Sequence, residues 1–271
     1  MKKIKIVDTT LRDGEQTPGV VFSKAEKIEL AILLDKLGIT VIEAGIPIMG
    51  AVESSVIKEL ISLNLKAELL VWNRIKKSDI EASLSCGATN LHLSAPVSEL
   101  HLSQKLQKSK DQILAEMESA VKFAVQAGAE VSVGAEDASR ADPGFLVEFA
   151  RTAEQAGAAR FRYADTVGVL TPARTLSKLT YLSSQLAIAI EFHAHNDFGL
   201  AVANSLSSFQ AGIEFISATI NGIGERAGNT NLFELIKALN YFYKIDFTFD
   251  QQIAARLTEI IKQTTQKISS L

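Results

Sequence analysis

Two imidazoles one residue apart, His193-Ala194-His195, account for half of the histidines in a chain that has four. Residues two apart on a strand face the same side, so both rings can enter one cavity and offer nitrogens to a divalent cation. Alone, the pair fits a ligand set or a satisfied core pair. A carboxylate on a nearby strand end favours ligands, and Thr9-Thr10-Leu11-Arg12-Asp13-Gly14-Glu15-Gln16 supplies one directly after an apolar stretch. That polar run is either a capped turn with a solvated ion pair or half of a reaction centre. Two histidines and one carboxylate leave open positions on an octahedral cation. A 2-oxo acid can fill two of them with its keto and carboxylate oxygens, its carbonyl polarised for attack. The single Cys86 offers no cluster for a closed structural zinc site.

Further charged groups recur just after apolar runs: Glu43 in VIEAGIP, Glu136-Asp137 with Arg140 behind them, Asp165-Thr166, and Glu225-Arg226 with Asn229 in NGIGERAGN. Each alone is ordinary loop chemistry, and their concentration is not. The glycines of the last stretch let backbone approach a ligand closely, as they would in a bare turn. His92 alternates within a strand and fits either a packed core position or a substrate contact. His101 reads as a solvated loop residue and Cys86 as a small core residue. Lys76-Lys77 and Lys105–Lys110 read as solvated faces, with contact to a nucleotide phosphate as the lesser alternative.

Elements must hold these groups together, and the chain supplies a regular beat. Candidate strands are Lys3–Thr9, Val41–Gly45, Ala67–Val71, Asn90–Ser94, Glu130–Ala135, Arg160–Ala164, Ala189–Ala194 and Phe215–Ile220. Between them lie helical patterns such as Lys24–Leu37, Asp111–Ala127, Gly144–Ala156, Ser177–Leu186 and Leu200–Ala211, with apolar residues at i, i+3, i+4 and i+7. This predicts an α/β protein, a (β/α)8 TIM barrel over 1–245, with 246–271 as a short C-terminal helical extension over Asp250–Ser269. A doubly wound sheet is the alternative, but no G-x-G-x-x-G turn follows the first strand. In such a barrel the site lies at the C-terminal strand ends, where the charged groups fall.

The 271 residues, 47% apolar and 22% charged, suffice for a large core without disulfides. A net charge of -3 argues against a general nucleic-acid binder. The opening apolar run stops at Asp8, too short for a secretory signal, and no stretch has the length of a membrane span. A cytoplasmic protein is expected.

Taken together, DTTLRDGEQTPG at 8–19, HAHND at 193–197 and NGIGERAGN at 221–229 resemble the metal-dependent acyl-CoA condensing enzymes. These are the 2-isopropylmalate, citramalate and homocitrate synthases, whose barrel is shared with 3-hydroxy-3-methylglutaryl-CoA lyase. The motifs occur in the family's order across nearly the whole chain. The lyases carry a cysteine in their glycine-rich loop and 221–229 carries none. EAGIPIMG at 43–50, VGAEDASR at 133–140 and RFRYADTVGVLTP at 160–172 look most like homocitrate synthases of the nitrogen-fixation type. The DTVG element is shared with isopropylmalate synthases and does not discriminate.

The resemblance implies Asp13, His193 and His195 as ligands of one divalent metal ion (Mg, Mn or Zn), with Asn229 beside or on it. It implies Arg12 as stabiliser of the developing enolate or alkoxide and Glu136 as base, or partner of the base, at the acetyl methyl. Arg140 would pair with the distal carboxylate of 2-oxoglutarate, Thr166 would hold the carboxylate next to the keto group, and Gln16, Glu43 and His92 would complete the substrate contacts. The implied reaction is an acyl transfer in which acetyl-CoA, as co-substrate, condenses with 2-oxoglutarate to give (R)-homocitrate and CoA. Isopropylmalate or citramalate synthesis, lyase-like cleavage, and a subunit inactive alone are the alternatives. Family members continue past the barrel into a region that covers the neighbouring subunit's site and supplies a catalytic histidine. A homodimer is therefore expected, or a hetero-oligomer whose second subunit brings that region, with no nucleic-acid or membrane partner.

Overall fold

The computed structural model describes residues 4–247 and 250–266. Eight parallel strands close into a barrel in sequence order. They are β1 (Lys5–Asp8), β2 (Val41–Gly45), β3 (Glu68–Arg74), β4 (Asn90–Pro96), β5 (Glu130–Glu136), β6 (Arg160–Asp165), β7 (Ala189–Ala194) and β8 (Phe215–Ala218). The helices α1 (Lys24–Lys36), α2 (Ala51–Ser62), α3 (Lys77–Ser85), α4 (Lys110–Gln126), α5 (Pro143–Gln155), α6 (Pro172–Gln185), α7 (Ala201–Gln210) and α8 (Leu232–Tyr243) follow the strands in turn. The expected TIM barrel is the fold. A last helix, α9 (Gln251–Gln266), packs on α1, with Leu257, Ile260 and Ile261 buried.

Local chemistry sets these bounds. Ser23 and Ser109 close capping boxes with Glu26 and Gln112, and Asp142-Pro143 and Thr171-Pro172 cap α5 and α6. Gly38, at φ +84°, turns the chain from α1 back towards β2. Outward strand residues such as Ile42, Val71, Leu91, Val133, Phe161 and Phe192 form the main core against the helices. Inside the barrel, Val7, Val41, Leu70 and Phe215 make a small apolar layer.

β1 is confined to Lys5–Asp8 and β4 runs on to Pro96, and β3 and β8 depart from expectation too. β3 continues through Trp72-Asn73-Arg74, pairing with His92–Ser94. The polar Asn73 is tolerated because its amide donates to the carbonyls of Val71 and His92 and its oxygen accepts from Ser83. β8 stops at Ala218, because Thr219 N–H turns to the carbonyl of Thr230 and Ile220 N–H to the hydroxyl of Thr10. Residues Ile220–Gly222 then form a 3-10 turn. The expected strand residue Lys3 and the expected helix residues Lys267, Ile268 and Ser269 lie outside the described residues. No helix among the described residues is long and apolar enough to cross a membrane.

The end of β1 carries a titrating carboxyl. Asp8 accepts from Thr10 N at 2.9 Å and Thr10 Oγ1 at 3.1 Å, yet burial outweighs these bonds and pushes it up to about 7. An unfolded Asp8 ionises near 3.8. Its favourable contribution is thus full below that value and disappears as pH rises to 7, at up to about 1.4 kcal/mol per pH unit. Asp8→Asn removes this dependence. The stability difference between variant and wild type, measured by denaturant unfolding, should move in the variant's favour from pH 4.5 to 7 and level off above. A difference constant over that range contradicts the assignment.

Candidate active site

The turn after β1 sets the geometry of the rim. The carbonyl of Thr9 accepts from the amides of Arg12, Asp13 and Gly14, so the chain folds back and both side chains enter the barrel mouth. Thr17 clasps this turn to the loop after β8, donating its hydroxyl to Gly224 O and accepting from Gly224 N. On β7, alternation puts Glu191 and His193 inside the barrel, with His195 one step above.

Asp13 Oδ2 lies 3.3 Å from His193 Nε2 and 3.9 Å from His195 Nε2, and the two ring nitrogens are 3.3 Å apart. The three ligand atoms fall within 4.8 Å of one another, and all three residues are buried. Burial works to raise the Asp13 carboxyl, but the charge of Arg12 and the bond and charge of His193 outweigh it and hold it well below the usual range. Burial, then the neighbouring His193, pulls His195 down to about 4, so its ring is neutral at pH 7. A carboxylate and neutral imidazoles are the forms a cation requires. Asn229 donates to Asp13 Oδ1 at 3.0 Å, and its own Oδ1, like His195 Nδ1, is buried with no hydrogen-bond partner. The residues present fit a divalent ion. Gly224 is required beside them, because a Cβ on it would overlap the Asn229 amide and sit 3.0 Å from Asp13 Oδ1.

A cavity of about 420 Å³ opens above this cluster. Of the expected residues it takes in Arg12, Asp13, Gln16, His92, Glu136, Thr166, His193 and His195. Arg12 is fixed by Asp13 at 2.9 Å and Glu43 at 2.6 Å. His92 bonds Ser132 Oγ at 3.0 Å, and burial followed by the charges of Arg162 and Arg12 keeps it neutral. Thr166 Oγ1 accepts from Asp137 N at 2.9 Å, leaving its proton free for a ligand.

Two expectations are corrected. Arg140 is not in the mouth: its guanidinium bonds both oxygens of Asp137, and it lines a separate outer cavity with Arg174 and Lys178. Glu43 is fully buried beneath the mouth, with one oxygen on Arg12 and the other on Arg162, and does not line the cavity. Conversely, His101 and Lys105 are not merely solvated. A π-helical turn at His101–Leu106 brings both onto Glu136, at 3.3 and 3.0 Å. Trp72, Ser94, Arg162 and Arg226 also line the mouth. The alternation Arg160-Phe161-Arg162 carried the signal for Arg162, since it puts both arginines inside.

Residues 3–261 match the model of the HMGL-like family. The chain is similar to a protein named 2-isopropylmalate synthase 2 from Caldanaerobacter subterraneus, 47% identical over 260 residues, covering 96% of this chain and 68% of that one. It is 41% identical over 236 residues to the homocitrate synthase subunit alpha of Clostridium pasteurianum, covering 87% and 88%. The fold is also similar to the crystal structure of an HMG-CoA lyase from Bacillus subtilis, with a TM-score of 0.84 at 19% identity over 99% of this chain and 95% of that one.

Proposed function

The chain belongs to the HMGL-like family, and from that premise we propose that it condenses acetyl-CoA with a 2-oxo acid, 2-oxoglutarate, to give (R)-homocitrate and CoA. The observation that carries the reading is the convergence of Asp13 Oδ2 and two imidazole nitrogens in a mouth that also holds Arg12, Glu136 and Thr166. The relatives named homocitrate and isopropylmalate synthase support a synthase over a lyase. In this reading 1–245 is the catalytic barrel, and α9 (Gln251–Gln266) is appended to it.

Asp13, His193 and His195 would hold the cation, with Asn229 at its side. When bound there, a divalent ion supplies Lewis-acid polarisation of a ketone. The chain's own groups do the rest. A thioester α-proton is weakly acidic, so it needs a placed base and a cation near the developing enolate. Glu136 takes that proton at the acetyl methyl, and Arg12, held rigid by Glu43, faces the enolate oxygen. The carbanion then attacks the keto carbon, whose adjacent carboxylate accepts the Thr166 hydroxyl proton in a hydrogen bond. Water hydrolyses the thioester, releasing CoA thiol and making the sequence irreversible. The relative named homocitrate synthase subunit alpha supports a multi-subunit arrangement.

The test is thiol release from acetyl-CoA with 2-oxoglutarate, 2-oxoisovalerate or pyruvate, with Mg or Mn and with chelator. Release with 2-oxoglutarate that chelation abolishes is the expected result. Release indifferent to chelation, or none with any oxo acid even after a second subunit is added, would refute the reading.

A further inference from the structure

Bulky branched side chains usually fill the interior of an eight-stranded barrel, but here a ladder of charges runs down it. Asp13, Arg12, Glu43, Arg162, Glu191 and Arg160 follow one another at 2.9, 2.6, 2.8, 2.7 and 3.3 Å. None of these side chains is more than 9% exposed. Buried ion networks are often no more stable than apolar packing of the same volume, so stability alone does not account for this one.

The proposed chemistry uses the upper rungs and leaves Arg162 without a role. Its Nη1 donates to Glu43 Oε1 at 2.8 Å and its Nε is ion-paired to Glu191. Its Nη2 is buried and has no hydrogen-bond partner, although the residue lines the reaction cavity. An unpaired buried donor costs about 1–3 kcal/mol, more when charged, and arginine cannot shed its proton to escape that cost. Among the described residues Arg162 is the one arginine with buried guanidinium nitrogens in this state. Gly134, paired with Arg162 across β5 and β6, makes room for the His92 ring, since a Cβ there would overlap His92 Nε2, and Ser94 and neutral His92 line the same cavity.

We propose that Arg162 binds the second carboxylate of a dicarboxylic 2-oxo acid and thereby selects it over an oxo acid with an apolar tail. The inference rests on the condensation reading above. Arg140, the cation expected in this role, lies outside the cavity and is bonded to Asp137. The other cations of the mouth are less suited. Arg226 is occupied by Asp197, Glu225 and the Thr166 carbonyl. Lys105 is 59% exposed, where ion pairs are screened. Arg162 is buried and fixed by Glu43 and Glu191, and its Nη2 remains to donate to one carboxylate oxygen.

The experiment is calorimetric binding of 2-oxoglutarate and of 2-oxobutyrate to the manganese-loaded full chain, wild type against Arg162→Lys. Binding is read because it does not depend on a second subunit for turnover. Arg162→Lys should weaken 2-oxoglutarate at least about 30-fold and 2-oxobutyrate no more than about threefold. If the lysine variant does not fold, Arg162→Met combined with Glu191→Gln removes the cation and its partner together and should give the same split. Equal weakening of both acids in either variant means a merely structural role and overturns the proposal. A wild type that binds 2-oxobutyrate as tightly as 2-oxoglutarate also overturns it, and leaves condensation itself standing. Absence of thiol release with every oxo acid overturns the condensation reading and this inference with it.

Discussion

His195→Ala should lower Mn affinity by at least about 100-fold, the upper end of the loss seen when only an outer partner of a metal ligand is removed, and should abolish thiol release. The three donor atoms within 4.8 Å leave no fourth histidine or carboxylate of the described residues to substitute for the lost ring. The fold should survive, because His195 lies just past the end of β7 and its Nδ1 makes no bond that folding requires. Titration calorimetry with Mn, together with circular dichroism, separates the two effects. Unchanged affinity in a folded variant would remove the basis for a cation at this position.

Glu43→Gln should be the most damaging single change away from the donor set. The carboxylate has zero exposure and two guanidinium partners, at 2.6 and 2.8 Å. Burial works to raise its pKa, but Arg12 and Arg162 outweigh it and keep it ionised. Removing that charge leaves two buried cations undercompensated, a loss of roughly 3–5 kcal/mol and of about 10 °C in Tm for a chain of this length. Arg12 then loses one of its two anchors, and a shift of about 1 Å can lower kcat by about 100-fold. Thermal unfolding and the thiol-release assay measure both. A Tm within about 2 °C of wild type with kcat preserved would show that Glu43 anchors neither cation.

Much of this was legible from residue order. The strand and helix beat is physical periodicity, and His-x-His on a strand with Asp13 after the first strand implies convergence once the barrel closes. Direction was not legible. Arg140 sits three residues after Asp137, whose backbone is left-handed at φ +62°, and the turn sends the guanidinium back onto that carboxylate. Nothing in the order of EDASR reports that sense of rotation. Lys105 reached the mouth through a π-helical turn, a local wrap with no apolar period to betray it. Glu43 reads as a rim residue because it follows an apolar run, yet alternation with the buried Ile42 points it into the barrel, where depth depends on the closed ring.

The bond between Asn229 and Asp13 joins residues 216 apart, and the Thr17–Gly224 clasp spans 207. During synthesis Asp13 must therefore wait for the 216 residues that separate it from Asn229 to be added before this companion leaves the ribosome. Such distant closures are slow steps in folding. A nascent or prematurely released fragment lacking the eighth strand has neither a sealed ring nor an assembled donor set. Assembly of the three donor atoms thus follows closure of the ring and cannot precede it.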